Sequence, residues 1–176
     1  MKILVVVDMQ NDFLTGALRN EEGIKIIPLV KERIEYYKNI GGEVIATRDT
    51  HTLDYLNTQE GKNLPVVHCV KNTEGWAIND SIAPLLEGDK VFDKPCFGSM
   101  ELALYLKDKY FDKQSKIEIE FVGVCTDICV ISNVTLVKSA LPEAKIIVNS
   151  SLCAGVSVKS HETALDAMRA CQVTVI

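Results

Sequence analysis

The sequence predicts an α/β fold in which a three-layer, mostly parallel six-stranded sheet carries helices on both faces. Two observations point to it. Short Val/Ile-rich runs alternate with segments of helical period along the whole chain. The first run, Ile3 to Val7, is apolar at five consecutive positions, the mark of a strand covered on both faces. A chain of 176 residues, 47% apolar, fits one domain over residues 1–176 and can bury a sizeable core.

The elements follow in order. Residues 2–8 form the first strand, closed by Asp8. Ile26, Ile27, Val30, Ile34, Tyr37 and Ile40 recur at helical spacing, predicting a helix over 24–40 that Gly41-Gly42 stops. Residues 43–48 make the second strand, ending at Asp49. From 49 to 88 no period is sustained, and Gly61, Pro65, Gly75, Pro84 and Gly88 punctuate the stretch. An irregular segment of that length inside a compact domain is usually functional. Strands over 90–93, 117–124, 144–148 and 173–176 then alternate with helices over 99–109, 126–140 and 160–170, without internal repeats. Sites in such sheets lie beyond the carboxyl ends of the strands. Asp8, Asp49, Lys94 and the 124–129 turn all fall there.

A net charge of −5 without a Lys/Arg block disfavours a phosphate-backbone footprint, so nucleic acid is not expected as a partner. Asp8 ends the apolar start too early for a signal peptide, and no run approaches membrane-spanning length. A cytoplasmic protein without membrane contact is expected, its six cysteines free thiols. The chain has no GxGxxG after a strand, no GxxxxGK[ST] loop and no GxSxG elbow, which disfavours nucleotide binding and serine hydrolysis.

The chemistry concentrates in Gly123-Val124-Cys125-Thr126-Asp127-Ile128-Cys129-Val130, where a buried strand ends and a helix opens. Cys129 would sit in the first helical turn, where positive potential favours a thiolate and free N–H groups can hold an oxyanion. Thr126 or Asp127 can cap that helix. For a base, His51 and His68 are available in the irregular region, while His161 lies in a polar helix and reads as a surface residue. Asp8 is the alternative, an acid at a strand end that is costly to bury unless paired or used.

Val7-Asp8-Met9-Gln10-Asn11-Asp12-Phe13 resembles the opening signature of isochorismatase-like cysteine hydrolases, a Rossmann-like family. Gly123 to Val130 resembles their nucleophile signature, and Asp93-Lys94 with Phe97-Gly98-Ser99 resembles the segment bearing their catalytic lysine. The three occur in the family's order and spacing. The resemblance implies a catalytic triad of Asp8, Lys94 and Cys129, and a cis peptide at Val124–Cys125 with an oxyanion hole from the N–H groups of Cys125 and Cys129.

Asp49-Thr50-His51, followed by Glu60 and His68, offers two imidazoles and two carboxylates suited to one divalent ion, zinc first, then manganese or iron. The segment resembles the metal-binding region of the nicotinamidase/pyrazinamidase-type members. Many of them carry a histidine where this chain has Asn57; here Glu60 is expected as the third ligand. Phe13 matches one wall of their substrate pocket. No aromatic residue stands before Pro65 to make the other, and Trp76 is a substitute. The resemblance implies hydrolysis of a small amide, nicotinamide foremost, through a thioacyl-enzyme in a homo-oligomer. A carbamoyl or ureido substrate is the enzymatic alternative, and a silent binding domain on the same fold is the non-enzymatic one.

Overall fold

The computed structural model describes residues 1–176. Its strands are β1 (Lys2–Val7), β2 (Glu43–Asp49), β3 (Lys90–Lys94), β4 (Glu118–Val124), β5 (Lys145–Ala154) and β6 (Thr174–Val175). They form one sheet in the order β3-β2-β1-β4-β5-β6, parallel throughout. The helices are α1 (Asn11–Leu14), α2 (Glu21–Asn39), α3 (Gln59–Asn63), α4 (Met100–Tyr110), α5 (Ile131–Ala140) and α6 (Val158–Ala170).

Both faces of the sheet are covered, as the unbroken apolar run of β1 requires. Ile3, Val5 and Val7 pack against α4, α5 and α6, through Leu106, Val134 and Leu165 among others. Leu4 and Val6 point to the other face, against Ile26, Val30 and Ile34 of α2. These five β1 residues, Ile3 to Val7, are each at most 1% exposed. At roughly 1.5–3 kcal/mol for each fully buried aliphatic side chain, β1 is a principal anchor of the fold.

Several boundaries differ from the sequence expectation. Helix α2 starts at Glu21, because the Asn20 side chain accepts the Gly23 N–H and so caps a first turn that carries few apolar residues. The expected 126–140 helix is split: Thr126–Val130 is a π-type turn, and only Ile131–Ala140 is α-helical. No side chain caps its start. Strand β5 continues through Asn149-Ser150-Ser151 to Ala154, absorbing the extra residues in a register shift between the Phe121 and Gly123 pairings. Two short helices, α1 and α3, escaped a reading based on period, being about one turn each.

Two features fix β4, the central strand beside β1. Gly123 has φ +120°, and a Cβ there would lie 2.1 Å from the Val7 carbonyl oxygen, so only glycine lets the ends of β1 and β4 meet. Glu120 is 1% exposed, with its carboxylate held by the Arg33 fork, the Tyr37 hydroxyl and Asn149. Glu120→Ala would leave the guanidinium and the phenol without their acceptor. The expected result is a loss of about 2–3 kcal/mol, read as a lower urea midpoint at unchanged slope. An unchanged midpoint would mean that Glu120 is not a structural anchor.

Candidate active site

The parallel register delivers the functional side chains together. Val7 lies opposite Thr47 on one side and Gly123 on the other, and Asp49 lies opposite Lys94. The residues at or just past these strand ends therefore share one edge of the sheet. Asp8 follows β1 with φ +49°, a left-handed conformation uncommon outside glycine. Its N–H donates to the Thr47 carbonyl at 3.3 Å, and its own carbonyl accepts the Gln10 N–H at 2.7 Å. The Thr47 hydroxyl donates to Asp8 Oδ1 at 2.7 Å.

Lys94, 1% exposed, reaches all the other groups. Its Nζ lies 2.7 Å from Asp8 Oδ2, 3.1 Å from Asp49 Oδ1 and 3.5 Å from Cys129 Sγ. One buried cation thus sits among two carboxylates and a thiol. Burial lifts the Asp8 carboxyl above its usual range; Lys94 opposes the rise and Asp49 adds to it. Burial also works against the Lys94 charge, but Asp8, Cys129 and Asp49 outweigh it and hold the ammonium well above its usual pKa.

The same burial pushes the Cys129 thiol well up, with Asp8 adding to the rise and Lys94 opposing it. Desolvation and the two neighbouring carboxylates thus work against the thiolate that a helix start favours. Among the neighbouring charges Asp8 acts most strongly on the sulfur, and both lie against the Lys94 ammonium. None of the three histidines is hydrogen-bonded to the sulfur: His51 and His68 face Asp49 and Glu60, and His161 bonds to Thr126.

The Val124–Cys125 peptide is cis, as the resemblance implied. The Cys125 carbonyl accepts the N–H groups of Ile128 and Val130, which closes the turn around Cys129. The capping roles expected of Thr126 and Asp127 are not seen. Asp127 instead accepts the Val156 N–H, and Thr126 bonds to His161, which is half-buried rather than a free surface residue.

Asp49, His51, Glu60 and His68 converge, their ligand atoms all within 4.8 Å of one another. Asp49 divides its oxygens: Oδ1 faces Lys94, and Oδ2 lies 2.9 Å from His51 Nε2 and 3.5 Å from His68 Nε2. The residues fit a divalent ion on two counts. His51 Nε2 is buried with no hydrogen-bond partner. His68 Nδ1 lies 2.8 Å from the Val66 carbonyl, so the proton sits there and the Nε2 lone pair points inward. Two imidazoles and two carboxylates suit zinc, manganese or iron. Asn57 is exposed and donates to Asp54, away from the group, whereas α3, capped by Thr58, turns Glu60 inward.

A cavity of about 790 Å³ opens onto Cys129, Asp49, Glu60 and His68. Phe13 lines it, with Leu18, Leu64, Phe97, Ile128 and Val156. Trp76 does not, contrary to its suggested part as a second wall. Its indole N–H donates to Thr50, and its ring stacks under the Arg48 guanidinium at 3.8 Å. Phe97, 40% exposed, is the second aromatic residue of the cavity; it was visible beside Lys94 but had no assigned part. Gln10 was also overlooked. Fully buried, it accepts the Asp49 N–H and donates to the Asp49 and Trp76 carbonyls, which locks β1 to the end of β2. Its place two residues past Asp8, inside the 7–13 segment, was the available signal.

A family model described as "Isochorismatase domain" matches residues 2–176. The nicotinamidase of Saccharomyces cerevisiae is 28% identical over 169 residues, covering 74% of this chain and 78% of that protein. The Escherichia coli nicotinamidase is 27% identical, covering 93% of this chain and 87% of its own length. Among solved structures, the pyrazinamidase of Pyrococcus horikoshii in complex with zinc superimposes with a TM-score of 0.79 at 26% identity, covering 99% of this chain and 98% of that one.

Proposed function

The chain belongs to the isochorismatase domain family, and from that premise we propose that it is a cysteine amidohydrolase converting nicotinamide and water to nicotinate and ammonia. The observation that carries the reading is the Lys94 ammonium, held within 3.5 Å of Cys129 Sγ and 2.7 Å of Asp8. Nucleophile, base and counter-charge are thus assembled in a nearly dry site.

The proposed course starts from a Cys129 thiol. Asp8 takes its proton as the sulfur attacks the amide carbon, and Lys94 steadies the negative charge that develops. The N–H groups of Cys125 and Cys129 are assigned to the oxyanion. Asp8 then passes the proton to the departing nitrogen, ammonia leaves, and a thioacyl-enzyme remains. Water attacks this thioester with Asp8 as base. Nicotinate departs, and the proton returns to the sulfur.

Asp49, His51, Glu60 and His68 are the residues proposed to hold a metal, zinc first. A divalent ion there supplies a Lewis acid able to bind a ring nitrogen or a water. His51→Ala and Glu60→Ala are expected to lower metal affinity about tenfold or more, while Asn57→Ala leaves it unchanged, as read by metal content after dialysis. The reverse outcome for Glu60 and Asn57 would exchange the third ligand. All six cysteines are free, which supports a reducing, cytoplasmic place. A homo-oligomer is proposed as well, to be read by sedimentation.

The substrate is tested by ammonia release. Nicotinamide is expected to exceed benzamide by about 100-fold or more in kcat/KM, since recognition of the ring nitrogen is lost in benzamide. If nicotinamide is inert while a carbamoyl or ureido compound turns over with the same need for Cys129, the reaction class stands and the substrate falls.

A further inference from the structure

We propose that His161 is a positioning residue for the nucleophile, acting through Thr126 on the turn that carries Cys129. The proposal rests on the reading of Cys129 as the attacking group. Thr126 is fully buried, and its hydroxyl shares a 2.8 Å hydrogen bond with His161 Nδ1. A buried hydroxyl is almost always paired, so this bond settles where Thr126 points. The Thr126 carbonyl in turn accepts the Ile131 N–H across the π-type turn, so the segment between them, Cys129 included, is bracketed by a bond that starts at Thr126.

His161 is well placed to act as a fixed post. It sits in the first turns of α6, where its N–H donates to the Ser157 carbonyl at 2.9 Å behind a Ser157–Ser160 capping box. Gly155 lets it approach: a Cβ at that position would meet His161 Cβ at 2.9 Å and Asp127 Oδ1 at 3.0 Å. A second tether runs beside the first, from the Val156 N–H to Asp127 Oδ1 at 3.0 Å. The β5–α6 connection and the start of α6 therefore grip the nucleophile turn at two successive residues. No side chain caps the start of that turn, so these two contacts are the tethers that fix its first residues from outside.

The consequence is specific to the chemical step. Of the cavity's lining, Phe13, Leu64 and Phe97 lie on other segments, and Ile128 and Val156 move with the turn and its tether, so loosening the turn displaces the sulfur while both aromatic walls stay in place. A displacement of about 1 Å at a reacting atom can cost about 100-fold in rate.

The test is steady-state ammonia release by full-length wild type and the variants His161→Leu, His161→Asn, Thr126→Val and the double variant His161→Leu/Thr126→Val. His161→Leu is expected to lower kcat about 10- to 100-fold with KM within about twofold. His161→Asn, whose amide sits near the former Nδ1, should recover most of it. Thr126→Val should match His161→Leu, and the double variant should lose no more than either. If His161→Leu fails to fold, Thr126→Val alone must show the kcat loss. A wild-type kcat in His161→Leu or Thr126→Val, losses that multiply in the double variant, or a change carried by KM would overturn the proposal. Turnover surviving in Cys129→Ala would remove the nucleophile reading and this inference with it.

Discussion

Cys129→Ala is expected to abolish ammonia release, a loss on the order of 10⁴- to 10⁶-fold in kcat, while the protein stays folded. The size of the loss follows from the proposed role: without the sulfur there is no thioacyl intermediate, and neither Asp8 nor Lys94 can form one in its place. The fold should tolerate the change because Cys129 is 5% exposed at the edge of a large apolar cluster, and the removed atom is small. A stability change of about 1 kcal/mol is expected. Cys129→Ser keeps an atom in the same place but puts a poor nucleophile there, so it should be nearly as inactive. The positive control is mass spectrometry of wild type quenched during turnover, which should show the acyl group on the peptide containing Cys129. Activity above about 1% of wild type in Cys129→Ala would sink the assignment.

Lys94→Ala should be the most destabilising single change at the site, by about 3–5 kcal/mol. Its Nζ neutralises Asp8 and Asp49 at once, both nearly inaccessible to water. Removing the cation leaves two neighbouring buried carboxylates, of which Asp8 already sits above its usual pKa through burial. The pH dependence has a definite sign. A carboxyl whose folded pKa lies above its unfolded value of about 3.9 binds its proton more tightly when folded. The folded state of Lys94→Ala should therefore lose stability as pH rises from about 4 through the raised Asp8 value, and regain it on acidification. Adding Asp8→Asn should restore part of the loss by removing one of the unpaired charges. Urea midpoints of the single and double variants across that pH range decide the matter. If Lys94→Ala unfolds at the wild-type midpoint, Lys94 does not carry this electrostatic load.

Much of this was legible along the chain. Ile3 to Val7 announced a doubly covered strand, because burial on both faces leaves no alternation to hide it. Asp8 announced itself as a charge closing an apolar run, and Asp49 and Lys94 as charges at the ends of strand-like segments. Asp49-Thr50-His51 and Glu60 with His68 stood out as donors crowded into one irregular stretch, and their convergence within 4.8 Å agrees with that reading. The short helices α1 and α3 were missed because about one turn has too few residues to show a period. β5 was cut short because Asn149-Ser150-Ser151 looks like a turn locally, yet pairing with β4 resumes beyond it.

The sequence by itself determined the order of the strands and helices, the residues at the strand ends and the chemical kinds available there. These are local matters of burial, period and capping. Only the tertiary structure decided which partners those residues have. Trp76 went to Arg48 and Phe97 to the cavity, because side-chain direction depends on how distant segments pack. The surroundings of the Cys129 sulfur were likewise settled in three dimensions, since Asp8 and Lys94 come from segments far away in sequence. A pKa depends on desolvation and on charges within a few ångströms, and no stretch of sequence contains either.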